Sequence, residues 1–234
     1  MKKFLKVLLL FIFIFSVTAC STPIKEKTEG EKFKEEYESL NGTESTSGKT
    51  IRTISIPEDN PFVYATEDDI VEMIDNNETF VVYFGFASCP WCRSILEEMT
   101  KAAKNLNIDK IYYVDVLDIR DIQEINSDNN IVTTKEGTEG YNELVKRIGD
   151  VLSDYTLTTS EGESINLGVK RIYAPNVVVV SNGKAIKMEE GISEELKDPY
   201  SELTDNMKKY TYNKFKCLFE CYQDEQNMCQ KNAC

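Results

Sequence analysis

Two cysteines stand two residues apart in the segment FGFASCPWCR, which runs from Phe84 to Arg93. Pairs at this spacing exchange disulfides, hold half of a metal site or form a short structural bridge. The chain of 234 residues contains no histidine, so each of these functions must operate without an imidazole base or ligand. Cys89 and Cys92 are the candidate catalytic residues.

Metal binding and an inert bridge are the alternatives to redox chemistry. A structural zinc site needs four ligands, and without histidine the partners of Cys89 and Cys92 would be carboxylates or the cysteines near the C-terminus. A bridge between Cys89 and Cys92 would close so short a loop that it would constrain little chain entropy. The pair therefore predicts thiol–disulfide exchange, with no metal and no cofactor.

The segments around the pair predict a strand before it and a helix after it. Residues 80–86 form a continuous apolar run, typical of a strand covered on both faces. Residues 92–106 carry apolar side chains at spacings of three and four. At a helix N-terminus, free N–H groups and the helix dipole favour a thiolate. Cys89 is therefore the expected nucleophile and Cys92 the resolving thiol.

Further elements are predicted on both sides of this junction. The predicted strands are Ile51–Ile56, Lys110–Val116, Val177–Val180 and Ala185–Met188, and the predicted helices begin at Thr66, span Tyr141–Leu152 and run from about Ser193 into the C-terminal region. The Asn182-Gly183 pair predicts a type I′ hairpin turn between the last two strands, because both residues accept a positive φ angle.

This order of elements resembles the thioredoxin-like family over residues 51–209. The likeness rests on CPWC at the head of a helix, on YAPNVVVV with Pro175 before a strand, and on the hairpin at Asn182-Gly183. The segment VYFGFASCPWCR is also similar to thioredoxin-like lipoproteins and bacteriocin-transport accessory proteins of Gram-positive bacteria. The resemblance implies an α/β fold with a central mixed sheet flanked by helices, and residues 118–168 form an insertion before the cis-proline strand.

The family resemblance also assigns supporting residues. Pro175 would be the cis-proline against the cysteine pair, and Ala174 would offer backbone groups to an extended substrate. Pro90 and Trp91 resemble the Pro-aromatic pair of glutaredoxins; Trp91 either contacts a partner or packs the turn. The family's buried aspartate, six residues before the first cysteine, is replaced by Tyr83, so the direction of electron flow stays open.

The insertion over residues 118–168 has two interpretations. It either shapes access of the substrate to the cysteine pair or forms a peripheral helix-and-hairpin addition. We favour the peripheral addition.

The N-terminus has the layout of a secretory signal peptide. Lys2 and Lys3 precede an apolar run over residues 4–15, which is shorter than the roughly 20 residues of a membrane-spanning helix. The run ends at VTAC, which resembles the lipobox of bacterial lipoproteins, in which the cysteine is acylated. We expect cleavage after residue 19 and a membrane anchor on Cys20. The alternatives are an ordinary cleavage site followed by an unrelated cysteine, and an uncleaved anchor.

Residues 20–50 predict a flexible, acidic tether, because few apolar residues are available to offset the entropy of ordering. Without residues 1–19, 24 basic residues face 40 acidic ones, a net charge of −16. This balance argues against nucleic acid and against adhesion to anionic headgroups. The expected place is the outer face of the cell membrane, held by the lipid.

Four cysteines lie in a predicted C-terminal extension over residues 210–234, and they are Cys217, Cys221, Cys229 and Cys234. An even set in an oxidising compartment predicts structural disulfides. Three connectivities are open, one of them nested, with Cys221 bonded to Cys229 and Cys217 to Cys234. A second redox centre is the alternative to structural bridges.

Together these features predict an extracytoplasmic, lipid-anchored thiol–disulfide oxidoreductase. Its expected partners are cysteine-containing secreted or membrane proteins and a thiol–disulfide redox partner in the membrane. The alternative is a binding or export-accessory lipoprotein with the same fold, in which the cysteine pair does not turn over.

Overall fold

The computed structural model describes residues 26–128 and 130–224. The expected signal peptide over residues 1–19, the acylation of Cys20 and the pairing of Cys229 and Cys234 lie outside the described residues. Among the described residues, no helix is long and apolar enough to cross a membrane.

Five helices and nine strands make up the described chain. The helices are α1 (Glu29–Glu38), α2 (Glu67–Asp75), α3 (Pro90–Asn105), α4 (Glu139–Ile148) and α5 (Asp205–Gln223), with a 3₁₀ helix at Gly149–Val151. The strands are β1 (Phe62–Tyr64), β2 (Phe80–Gly85), β3 (Ile111–Asp115), β4 (Ile122–Ile125), β5 (Ile131–Lys135), β6 (Asp154–Thr158), β7 (Ser164–Lys170), β8 (Asn176–Ser181) and β9 (Lys184–Glu189).

A mixed sheet of five strands, in the order β1-β3-β2-β8-β9, forms the centre. Strands β1, β3 and β2 run parallel, whereas β8 pairs antiparallel with both β2 and β9. Helices α1, α3 and α5 cover one face and α2 and α4 the other. The α/β architecture with a central mixed sheet flanked by helices is thus present.

Strand β2 is buried along its whole length, as its apolar run predicts. Its side chains alternate between the two cores: Val81 and Tyr83 face α1, α3 and α5, while Phe80, Val82 and Phe84 face α2 and α4. Both faces of a central strand must be apolar when helices cover both sides of the sheet. Strand β2 therefore carries the cysteine pair at its carboxyl end on a rigid support.

The turn between β8 and β9 confirms the hairpin prediction. Asn182 and Gly183 have φ angles of 48° and 72°, the positive pair that a type I′ turn requires. Gly183 also lies against the backbone carbonyl of Ile74, at the end of α2, where a Cβ atom would collide. The turn thus fixes both the hairpin register and the contact with α2.

The prediction of a flexible tether over residues 20–50 is wrong where α1 forms. Thr28 and Glu31 form a capping box at its N-terminus. Phe33 and Tyr37, one turn apart, are fully buried in the main core. Burying such a side chain contributes about 1.5–3 kcal/mol, so two aromatic residues on one face suffice to dock an otherwise polar helix.

The predicted strand at Ile51–Ile56 is also wrong, although Ile51, Ile54 and Ile56 are buried. Side chains take the place of a neighbouring strand. The backbone N–H of Ile54 donates to Asn41 Oδ1 at 3.1 Å, and the N–H of Ile56 donates to Glu38 Oε1 at 2.7 Å. Buried backbone donors need partners, but these partners need not form a sheet.

The predicted boundary between residues 209 and 210 falls inside α5. This helix begins at Asp205, not near Ser193, and packs along α3. Phe215, Leu218 and Phe219 are fully buried in the main core. The C-terminal helix is therefore part of the domain and not an extension, because its apolar face completes the layer that covers β2 and β8.

Candidate functional site

The cysteine pair lies where β2 ends and α3 begins. Cys89 is the N-cap residue of α3, and its Sγ accepts a hydrogen bond from the backbone N–H of Cys92 at 3.2 Å. Pro90 occupies the first turn, where the missing N–H of proline breaks no helical hydrogen bond. The turn therefore aims unpaired backbone donors at the sulfur of Cys89.

Both thiols are free, and their exposure is low and unequal. Cys89 is 3% exposed and Cys92 is fully buried. The Sγ of Cys89 donates to the backbone carbonyl of Ala174 at 3.3 Å. Cys89 is therefore the more accessible of the two thiols.

The pKa values of the two thiols are shifted in opposite directions from that of an ordinary cysteine. Hydrogen bonding by the Cys92 thiol lowers the pKa of Cys89, and the backbone N–H groups of Cys92 and Trp91 and the charge of Arg120 lower it further, against the effect of burial. Burial raises the pKa of Cys92 well above its usual range, and the neighbouring Cys89 raises it further. The pair therefore combines a nucleophile with a thiol that stays protonated.

Arg120 is a site residue that the sequence analysis missed. It follows β3, and its guanidinium lies 5.1 Å from the ring centre of Phe86, beside the cysteine pair. Burial lowers the pKa of Arg120. Parallel neighbours such as β2 and β3 end at the same edge of a sheet. A basic residue shortly after β3 is therefore expected near the residues that follow β2, and the sequence could have indicated Arg120 on this ground.

Arg93, which the sequence analysis also missed, fixes the first turn of α3. Its side chain is 1% exposed. It donates to the backbone carbonyls of Tyr37 at 2.8 Å, Ala87 at 3.1 Å and Arg52 at 2.7 Å, and to the side chain of Asn41. Through these bonds, the buried guanidinium ties α1 and the extended segment that follows it to the first turn of α3, beside Cys92.

The loop before β8 faces the pair. The Ala174–Pro175 peptide bond is cis, as the family resemblance implies. The side chain of Asn176 accepts a hydrogen bond from the N–H of Tyr173 at 2.7 Å and holds the loop in place. The structure thus brings the residues predicted from the sequence to one place, and they are Cys89, Pro90, Trp91, Cys92, Ala174 and Pro175.

A groove of about 800 Å³ opens beside Trp91 and Pro175. Its far wall is the β6–β7 hairpin, which contributes Asp154, Thr156 and Asn166. This part of the insertion therefore lines one groove together with Trp91, Ala174 and Pro175, which favours the interpretation that the insertion shapes access to the pair over a wholly peripheral addition. Trp91 is half-buried and both packs against the main core and lines the groove.

The groove also holds a half-buried carboxyl group. Burial raises the pKa of Glu190, and the adjacent Glu189 raises it further. Glu194 and Lys197 line the same groove. The groove thus combines an aromatic surface with charged side chains beside the loop that faces Cys89.

The described tail cysteines lie on α5, away from this groove. Cys217 and Cys221 are both disulfide-bonded and nearly buried. The ammonium group of Lys187, on β9, lies 3.1 Å from the sulfur of Cys217. These two sulfurs are chemically separate from the free thiols of the pair.

Within the described ranges, no group of three or more Cys, Asp or Glu side chains is arranged to hold a metal ion. In comparisons with known proteins, the chain matches no family model and no curated protein.

Proposed function

We propose that this protein is a thiol–disulfide oxidoreductase with a thioredoxin-like fold, anchored by lipid at the outer face of the cell membrane. One observation carries the proposal: the two thiols occupy opposite environments. Cys89 caps a helix and has a lowered pKa, whereas Cys92 is fully buried and has a raised pKa. A structural bridge needs no such asymmetry, but disulfide exchange does.

The chemistry takes two steps. The thiolate of Cys89 attacks one sulfur of a substrate disulfide, a mixed disulfide forms, and the other substrate sulfur leaves as a thiolate. Cys92 then attacks Cys89, which releases the second substrate sulfur and leaves a Cys89–Cys92 disulfide. The reverse sequence oxidises a substrate, and a redox partner in the membrane returns the pair to its starting state.

The thioredoxin-like part of the proposal is supported by three features of the fold. The cysteine pair caps α3 directly after the central strand β2, β8 runs antiparallel to β2, and the Ala174–Pro175 loop before β8 faces Cys89. The carbonyl of Ala174, now paired with the Cys89 thiol, is the backbone group that an approaching substrate chain would meet first.

The position at the membrane is supported by the layout of the N-terminus and by α1. The apolar run ends at VTAC, and acyl chains on Cys20 would hold the protein to the bilayer. Because α1 begins at Glu29, residues 21–28 separate the lipid from the folded domain. Even fully extended, they span at most about 30 Å, so the active site would work close to the membrane surface.

The groove supports a second candidate function, a binding or export-accessory protein without turnover. An aromatic wall at Trp91 and the β6–β7 hairpin would hold a peptide segment whether or not the thiols react.

Trapping of covalent adducts separates the two candidate functions. In cells, Cys92→Ala should accumulate covalent adducts through Cys89, and Cys89→Ala should form none. Binding without adducts in Cys92→Ala would support the accessory function and contradict the oxidoreductase.

A further inference from the structure

The far wall of the groove beside the cysteine pair is attached to the cis-proline loop. The hydroxyl of Tyr173 accepts a hydrogen bond from the backbone N–H of Thr156 at 2.9 Å and donates to the backbone carbonyl of Asp154 at 3.3 Å. Tyr173 directly precedes Ala174, whose carbonyl faces Cys89. The β6–β7 hairpin is therefore fastened to the loop that faces the reactive thiol.

Arg171 forms a second attachment, at the start of β6. Its guanidinium lies 3.9 Å from the ring centre of Tyr155 and forms an ion pair with Asp121 at 3.1 Å. Both charged side chains of this pair are largely buried, and the backbone N–H of Arg171 donates to the carbonyl of Ser153 at 3.3 Å. The groove is thus formed before a substrate arrives, and binding need not order its walls.

Glu190 directly follows β9 and lies next to the cis-proline loop. In the antiparallel register of β8 and β9, Val177 pairs with Glu189. The next step of this register brings Glu190 beside Asn176, at roughly 5 Å, the spacing of adjacent strands. Asn176 directly follows Pro175, and both Pro175 and Glu190 line the groove. A substrate segment that crosses the cis-proline loop would therefore pass this carboxylate.

The carboxylate of Glu190 is half-buried, yet among the described residues it has no hydrogen-bond or ion-pair partner. Its acidic neighbours are neutralised. The adjacent Glu189 pairs with Lys214 at 3.7 Å, and across the groove Asp154 pairs with Lys170 at 2.7 Å. A half-buried carboxylate without a partner is costly, and such a group in a cleft is typical of a functional site.

The remaining surface of the groove suits the stem of a long basic side chain. Trp91, Ile192 and Leu196 line it, and apolar surface of this kind covers the methylene groups of lysine or arginine while the charged end reaches a polar group. Tryptophan also attracts cations through its ring face. The net charge of −16 in the chain without residues 1–19 favours encounter with positively charged partners. Surface and charge therefore both suit a basic segment.

We propose that, in the function proposed above, the groove binds an extended segment of the substrate protein and Glu190 forms an ion pair with a lysine or arginine of that segment. The inference rests on that function, because the segment is the one that carries the attacked sulfur to Cys89. Lys197 also lines the groove, but it is exposed and forms no ion pair with Glu190. Glu190 is then a specificity residue, and Tyr173 is a positioning residue that holds the opposite wall.

Synthetic peptides measure this selection with the full chain in detergent and the tail bridges intact. Each peptide carries one cysteine in a mixed disulfide with thionitrobenzoate, and the peptides differ only in having lysine, glutamine or glutamate at one position at a time on either side of the cysteine. The thiolate of Cys89 attacks the peptide sulfur, the mixed disulfide breaks, and the electron pair leaves on the coloured thionitrobenzoate. The second-order rate constant of release should be at least about tenfold higher for the best lysine peptide than for its glutamate counterpart, as expected for a hydrogen bond between charged groups.

Two variants assign this preference to Glu190. Glu190→Gln should remove most of the preference for lysine over glutamate, and Glu190→Lys should invert it. Glu195→Gln is the matched control, because Glu195 is exposed and does not line the groove, and it should keep the wild-type preference. An equal loss in Glu190→Gln and Glu195→Gln, or a wild type that releases thionitrobenzoate without preference, contradicts the basic-segment inference alone. A wild type that releases none, from any peptide or from dithiobis(nitrobenzoate), contradicts the proposed function and this inference with it.

Discussion

Replacement of Arg93 by methionine tests how the first turn of α3 is held. Methionine keeps the apolar stem but removes every donor of the guanidinium. The carbonyl of Tyr37 is fully buried, while the acceptors on Arg52, Ala87 and Asn41 are partly buried. A buried polar group left without a partner costs about 1–3 kcal/mol.

Because the substitution leaves one fully buried and three partly buried acceptors without their donor, we expect Arg93→Met to lower the free energy of unfolding by about 3–5 kcal/mol. Urea denaturation of the full chain with its disulfides intact measures the change through the midpoint at constant slope. Arg93→Lys should recover only part of the loss, because one ammonium group cannot reach acceptors on three segments.

Arg147→Met is the matched control. Arg147 lies on α4 and pairs with Asp75 and Glu143 at the surface, where such ion pairs contribute about 0–1 kcal/mol. A loss below about 1 kcal/mol in Arg93→Met, equal to that of Arg147→Met, would refute the view that this buried cation ties α1 to the active-site turn.

Two further predictions concern the core and the groove. Phe33→Ala should lower the free energy of unfolding by about 3–5 kcal/mol, and the exposed Glu35→Ala should change it little; equal effects in urea denaturation would show that α1 is not docked. Because the pKa of Glu190 is raised by burial and by Glu189, the folded state holds this proton to higher pH than the unfolded chain, and the stability it contributes is lost as the pH rises. Glu190→Gln should therefore gain stability relative to the wild type as the pH rises above the ordinary glutamate value of about 4.3, whereas a pH-independent difference would contradict the shift.

The strand and the helix around the cysteine pair, and the hairpin turn between β8 and β9, could be predicted because their signals are local. The apolar run of β2 and the three-and-four spacing of α3 follow from periodicity. The Asn182-Gly183 turn follows from backbone sterics. Each pattern depends on neighbours in the sequence, and the structure has these elements within a residue or two of the predicted bounds.

The features that the sequence did not predict depend on contacts between residues far apart in the chain. Helix α1 is held by the contacts of Phe33 and Tyr37 with a distant sheet, and the extended segment around Ile54 takes its hydrogen bonds from side chains. The role of Arg93 could not be predicted for the same reason, because its acceptors lie on three separate segments. Once β3 had been placed beside β2, the basic residue that follows β3 could have been assigned to the site.

The most direct test of the central claim is the rate of alkylation of Cys89 as a function of pH, followed by mass spectrometry in the full chain with the tail bridges intact. We predict an inflection below the ordinary thiol value of about 8.5, and an upward move of this inflection in Cys92→Ala, since the Cys92 thiol is the largest cause of the lowered pKa. Cys92 itself should stay unmodified across the same range, because it is buried and its pKa is raised. An inflection at or above about 8.5, with both cysteines reacting alike, would contradict the assignment of Cys89 as the nucleophile.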